Sequence, residues 1–225
     1  MIPWELLDST PVPGGTETLR LYRRDDEFSI RVDGCELMNS RVHGSEAALA
    51  ELSCARIVSN PSPKILIGGL GMGYTTAAAL DKLGAKAQVV VAELVPSVVE
   101  WNRGPLAGLA GYPLEDSRVS VREGDVAQIL KAEKHTYDAI MLDVDNGPDG
   151  LTRAENNWLY TSSGLSAAYA ALTFSGILSV WSASPDPAFS KLLRRAGFKV
   201  EAVTVRARGR KGGSRHMIWI AERKK

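Results

Sequence analysis

The sequence predicts a doubly wound α/β domain, and three observations carry that prediction. Short, continuously apolar strands alternate with helical segments through the middle of the chain, a run of glycines joins the first of those strands to its helix, and the chain closes on two alternating strands with no helix between them. A strand that is apolar on both faces needs cover on both faces, which a parallel sheet between helix layers provides.

In residues 16–38, Leu19 and Leu21, then Phe28, Ile30 and Val32, alternate with polar neighbours, and Asp33-Gly34 supplies a tight turn. A small β-hairpin appendage over residues 1–42 is therefore expected ahead of the main domain, residues 43–225. From Ser45 to Val58 apolar residues recur at helical spacing, until the breakers Asn60, Pro61 and Pro63. Strand and helix then alternate: KILIGG before a helix over Thr75 to Leu83, QVVVAEL before one starting at Pro96, RVSVREGD before AQILKAE, YDAIMLD before SSGLSAAYAALT, and GILSVWSA before DPAFSKLLRRAG. The final stretch, from Phe198, reads as an antiparallel hairpin with a basic, Gly-rich turn. The connection from Val144 to Tyr160 is long for a compact domain, and connections of that length often carry function.

Composition narrows the function classes. A chain of 225 residues fills one α/β domain with little left for a second. Lys and Arg together number 27 against 26 Asp and Glu, so no global field draws the protein to nucleic acid or to an anionic membrane, and a small-molecule partner fits better. No apolar run approaches the roughly 18 residues a membrane span requires, and the start MIPWELLDST has neither the basic end nor the apolar core of a leader. A cytoplasmic protein without a membrane partner is expected. Cys35 and Cys54 lack metal-ligand spacing and are expected to be buried free thiols, with no metal site.

The chemistry collects at strand ends. Gly69, Gly71 and Gly73 follow the first core strand and precede a helix, so they allow a tight turn and let a ligand approach bare backbone at a helix N-terminus, although glycines there can also serve strand-to-helix packing alone. The second strand ends at Glu93, about 20 residues on, where a carboxylate can accept hydrogen bonds from both hydroxyls of a ribose. Asp125, with Val126 beside it, follows the third strand and reads both as a helix N-cap and as an adenine contact, roles that are compatible. Asp143 ends the fourth strand. Ligands of open α/β sheets gather outside these carboxyl ends, so all four elements converge on one crevice suited to an adenosine cofactor. A dinucleotide is the rival, but the spacing here is G-x-G-x-G where that fingerprint has G-x-G-x-x-G, and the chain leaves no room for a substrate domain.

On these residues the chain resembles the class I S-adenosylmethionine-dependent methyltransferases, and among them the spermidine synthase-like proteins, over residues 60–182 and through the preceding hairpin and helix. The resemblance implies a seven-stranded Rossmann-like methyltransferase sheet of order 3-2-1-4-5-7-6 with the last strand antiparallel. It also implies S-adenosylmethionine or its decarboxylated form as cofactor, with Glu93 on the ribose, Asp125 near the adenine amine and Asp143 at the reacting centre. Two departures bear on the reaction. The synthases have G-G-G-D-G-G in the glycine loop, where the acid grips an aminopropyl ammonium, and this chain has Gly71 at that position, so the carboxylate of ordinary adenosylmethionine meets no like charge. They also have D-x-x-D-P after the fourth strand, where this chain has Asp143, Val144, Asp145 and then Asn146 in place of the second acid.

Asp143, Asp145 and Asp149 together can attract a cationic amine, and Asp143 can take its proton to free a lone pair. The synthases' Tyr-His-Glu at the start of the preceding helix is replaced by His43-Gly44-Ser45-Glu46, so the tyrosine that walls the amine site is missing. Glu46 reads equally as a crevice residue and as a favourable acid in a first helical turn, and His43 as an acid/base candidate or a packed residue before a helix. Trp158 and Tyr160 read either as a lid offering an aromatic face to a cation or as helix anchors. The expected activity is methyl transfer to a small-molecule acceptor, an amine among the candidates. Aminopropyl transfer from decarboxylated adenosylmethionine to a diamine is the alternative, and a homodimer is left open. A third reading, a non-catalytic cofactor or RNA binder, rests on Arg206, Arg208, Arg210, Lys211 and Arg215 around the last turn, a run that is more often a solvated turn.

Overall fold

The structure, a computed structural model, describes residues 2–144, 156–209 and 212–224. It opens with an antiparallel sheet of β1 (Glu5–Pro11), β2 (Thr18–Arg24), β3 (Glu27–Val32) and β4 (Cys35–Asn39), joined in sequence order. The expected turn forms between β3 and β4, with Asp33 and Gly34 both at positive φ (46° and 87°), the pairing that matches the twist of a two-residue hairpin. The appendage is larger than the hairpin read from the sequence, since β1 and β4 flank that pair. Neither announces itself, because β1 is exposed at almost every position and β4 buries none of its residues, so no alternation marks them. Cys54 is buried as expected, and Cys35, on the outer strand β4, is exposed instead.

The helix α1 (Gly44–Cys54) leads into the main sheet and ends before the expected Val58, because Arg56 and Ile57 turn back in tight bonds to the carbonyls of Ser53 and Cys54. Then follow β5 (Lys64–Gly68), α2 (Tyr74–Lys82), β6 (Gln88–Glu93), α3 (Pro96–Arg103), β7 (Val119–Glu123), α4 (Val126–Ala132), β8 (Tyr137–Leu142), α5 (Ser162–Ala171), β9 (Leu172–Ser182), α6 (Pro187–Arg195), β10 (Phe198–Arg206) and β11 (Arg215–Arg223). The seven-stranded sheet runs β7-β6-β5-β8-β9-β11-β10. Counted from β5 this is the order 3-2-1-4-5-7-6, with β11 antiparallel to both β9 and β10.

Burial explains the layering. The residues of β5, β6 and β8 alternate between two apolar clusters: Ile65, Ile67, Val89, Val91, Ala139 and Met141 face one side, and Leu66, Val90, Ile140 and Leu142 the other. The second cluster is closed by α4, α5 and α6 through residues such as Leu130, Leu165 and Phe189. The first is closed by α1, α2 and α3, and also by Leu19, Leu21, Phe28, Ile30 and Val32 of the N-terminal sheet. The appendage therefore shares a core with the main sheet and stands as a wall over the carboxyl ends of its strands. The chain reverses its direction of progress between β5 and β8, the place where open α/β sheets hold ligands.

Candidate active site

The glycine loop follows β5. Gly69, Gly71 and Gly73 all have positive φ (92°, 53° and 82°), a region closed to most side chains. At Gly69 a Cβ would lie 2.3 Å from the Asp143 carbonyl oxygen, so β5 and β8 can approach this closely only with glycine there. At Gly71 a Cβ would meet the Met38 sulfur at 3.1 Å, so a thioether from β4 occupies the space beside the loop. Asn102 on α3 donates to the Gly71 carbonyl at 2.8 Å and fixes the far side of the turn.

Glu93, at the end of β6 and only 8% exposed, braces the same loop. Its two carboxylate oxygens accept the amide N–H groups of Leu70 and Val95, each at 2.9 Å. A carboxylate offers about four lone-pair sites, so bracing the loop is compatible with a place on the crevice wall. Asp125 caps α4 by accepting the Ala127 amide at 2.8 Å, as expected for an N-cap, while remaining on the crevice wall. Gly69, Gly71, Glu93, Asp125, Val126 and Asp143 line one crevice, roofed by the N-terminal sheet.

Asp143, just past β8, accepts the Thr75 hydroxyl at 2.6 Å. Burial, and then the negative charge of Glu46, push its carboxyl up to about 7, while the Thr75 bond pulls the other way. Burial likewise raises the pKa of Glu46, opposed by the Ser45 hydroxyl that donates to it at 2.8 Å. Both carboxyls line a second crevice with Glu36, and no Lys or Arg lies among its described lining residues. Gly71 and Asp143, with Leu37 and Met38, line both crevices and mark where they adjoin.

Other expected site residues lie elsewhere. His43 is exposed at the start of α1, outside the lining of both crevices, and stacks on Tyr74 with ring centroids 4.0 Å apart; partial burial lowers its pKa. Trp158 and Tyr160 likewise line neither crevice: Lys131 sits 4.4 Å over the Trp158 ring, and Tyr160 is buried edge-on against Phe189 and donates to the Val144 carbonyl at 3.2 Å. These are anchoring contacts, and through Val144 the Tyr160 hydroxyl steadies the crevice rim. Asp145, Asn146 and Asp149, with Arg210 and Lys211 of the basic turn, lie outside the described residues. Arg206, Arg208 and Arg215 are exposed on the last hairpin.

Several lining residues were not singled out from the sequence. Glu17, at the start of the N-terminal wall, faces the first crevice, and its buried Oε2 has no hydrogen-bond partner. Trp181 and His216 line the second crevice from the end of β9 and the start of β11. The antiparallel run of β11 was the available signal, since it brings the beginning of that strand to the same sheet edge as the ends of the parallel strands.

No family model and no curated protein matches the sequence. Solved structures match its fold. A spermidine synthase from Thermotoga maritima superposes with a TM-score of 0.76 at 19% identity, covering 97% of this chain and 72% of that one. A spermidine synthase in complex with the transition-state analogue AdoDATO gives 0.74 at 18% identity over 97% and 72% of the two chains. A probable spermidine synthase from Corynebacterium glutamicum gives 0.66 at 14% identity over 97% and 79%. The chain thus has the fold of the spermidine synthases, a Rossmann-like methyltransferase sheet behind an N-terminal antiparallel sheet.

Proposed function

We propose that the chain is an adenosylmethionine-dependent transferase that methylates a small amine. The observation that carries this reading is the sharing of Gly71 and Asp143 by two adjoining crevices, one suited to an adenosine cofactor and the other rich in carboxylates.

The residues of the first crevice fit such a cofactor. Glu93 lines the crevice at the end of β6, where a carboxylate can accept from ribose hydroxyls, Asp125 stands where an adenine amine can be read, and the glycine loop exposes backbone at the start of α2. The unpartnered, buried Oε2 of Glu17 independently calls for a hydrogen-bond donor from a bound group. When bound, adenosylmethionine supplies a sulfonium carbon already activated for displacement. The protein has then to hold a nucleophile in line and keep water out. Glu36, Glu46 and Asp143 attract an ammonium into the second crevice, and Asp143, at the junction, holds its nitrogen near the reacting carbon. Above a pH of about 7 Asp143 is ionised and can also accept a proton.

Methyl transfer is favoured over aminopropyl transfer because the Met38 thioether, with no charge, packs beside Gly71, where the synthases that the sequence resembles carry an acid. Aminopropyl transfer is the second reading, favoured by the carboxylate-rich acceptor crevice and by the synthase fold. The two separate in one assay: the protein is incubated with methyl-labelled adenosylmethionine or with the decarboxylated form and a panel of primary amines, and the products are weighed by mass spectrometry. Label in the amine product is expected. Product from the decarboxylated form alone contradicts methyl transfer, and product from neither contradicts the transferase reading.

A further inference from the structure

Resting on the transferase reading of the same crevice, we propose that His216 is the proton acceptor for the incoming amine, held in that role by Ser45 and Glu46. The imidazole stands on β11 and lines the second crevice together with Asp143. Its Nδ1 lies 3.0 Å from the Ser45 hydroxyl oxygen, across from a helix far away in sequence. Ser45 is 1% exposed and donates its own hydrogen to Glu46 Oε2 at 2.8 Å. A hydroxyl whose hydrogen is committed to a carboxylate can only accept from its other neighbour, so this network assigns the proton to Nδ1 and leaves the Nε2 lone pair free.

The surroundings favour a neutral ring that can be charged during the reaction. Trp181 on β9 packs edge-on against the imidazole, with centroids 4.9 Å apart at 76°, and Val205 is its pairing neighbour on β10. The acids that face the crevice are Glu46 from α1, Asp143 from the end of β8 and Glu36 from β4, and the cations beside it on the hairpin, Arg206 and Arg215, are exposed. Partial burial lowers the pKa of His216 from its ordinary value and so favours the neutral ring. Burial and the Glu46 charge raise the Asp143 carboxyl to about 7, so it holds its own proton more readily than an ordinary carboxylate. The geometry divides the work between them, with Asp143 at the junction of the crevices and His216 fixed by Ser45. Asp143 holds the nitrogen, and His216 receives its proton.

In the step itself, an ammonium N–H proton passes to His216 Nε2 and leaves a lone pair on nitrogen. That pair forms the new N–C bond as the C–S electron pair goes to sulfur, giving a neutral thioether. The imidazolium, offset by the Glu46 charge across Ser45, then returns its proton to water. Glu46 and Ser45 act as positioning residues in this scheme.

Kinetics and imidazole NMR test the assignment. His216→Gln is expected to lower kcat by about 100-fold, the scale of a lost general base, with the calorimetric affinity for S-adenosylhomocysteine unchanged and the histidine titration lost from the acidic limb of the pH profile. Ser45→Ala, which keeps the ring but removes its Nδ1 partner, is expected to lower kcat about 10-fold and to change the tautomer balance seen in the nitrogen-15 spectrum. A measurement independent of turnover uses nitrogen-15 histidine-labelled protein saturated with S-adenosylhomocysteine and titrated with 1,4-diaminobutane and 2-phenylethylamine. Movement of the His216 Nε2 resonance towards its protonated position on amine binding supports the proposal. Amine binding that leaves this resonance in place, or a His216→Gln variant within twofold of the parent kcat, overturns it. Failure of the transferase reading itself looks different, as absence of cofactor binding in the unaltered protein.

Discussion

The Thr75 hydroxyl lies 2.6 Å from Asp143 Oδ2, joining the helix that follows the glycine loop to the end of β8. That bond fixes the carboxyl at the meeting point of two crevices while burial and the Glu46 charge raise its pKa to about 7, from 3.8 for the free group.

Stability should follow from that shift. Between pH of about 4 and 7 the folded protein retains a proton on Asp143 that the unfolded chain has released, so this group's contribution to stability falls as pH rises through the window. Asp143→Asn removes the titration. The variant is expected to melt above the parent at pH 8 and to lose that advantage near pH 4, as read by thermal unfolding across pH, while its transferase activity collapses. A constant offset at every pH would show that the carboxyl is not held in its protonated range.

Gly71 separates the two reactions, and an acid can be installed there. Its φ of 53° is a conformation that Asp and Asn tolerate better than most residues, and the nearest obstacle is the flexible end of Met38 rather than backbone. Gly71→Asp is expected to weaken adenosylmethionine binding by about tenfold or more through like-charge repulsion with the cofactor carboxylate, and to improve binding of the decarboxylated form. Equal effects on both, measured calorimetrically, would place the cofactor's amino-acid end elsewhere.

The basic hairpin offers a check on the RNA reading. Arg206, Arg208 and Arg215 are exposed, but they belong to a chain whose 27 Lys and Arg are balanced by 26 Asp and Glu, so no stable RNA complex is expected at physiological salt. Fluorescence anisotropy with a labelled single-stranded RNA at about 50 and 200 mM salt decides it: tight binding that falls steeply between the two would restore the RNA reading.

The sequence made the main sheet legible because β5, β6, β8 and β9 are apolar runs that only a doubly covered parallel sheet can bury, and because Glu93 and Asp143 sit at the ends of two such runs. β1 was invisible for the opposite reason, since its exposed residues carry no pattern, and so the roof over the first crevice was read as a single hairpin. Trp158 and Tyr160 were ambiguous in one dimension because an aromatic near an acidic loop packs or covers depending on direction, and the structure turns both towards the α5 side. His216 and Ser45 are separated by most of the chain and meet only through the antiparallel return of β11. No local motif encodes that meeting.

Whether the crevice under Gly69, Gly71 and Glu93 holds adenosylmethionine is decided by calorimetric titration. Saturable one-to-one binding of adenosylmethionine is expected, tighter than that of the decarboxylated form, with Glu93→Ala weakening both by about 10- to 100-fold through lost hydrogen bonds to a charged acceptor. Tighter binding of the decarboxylated form would contradict the methyl-transfer assignment, and binding of neither would contradict the cofactor site.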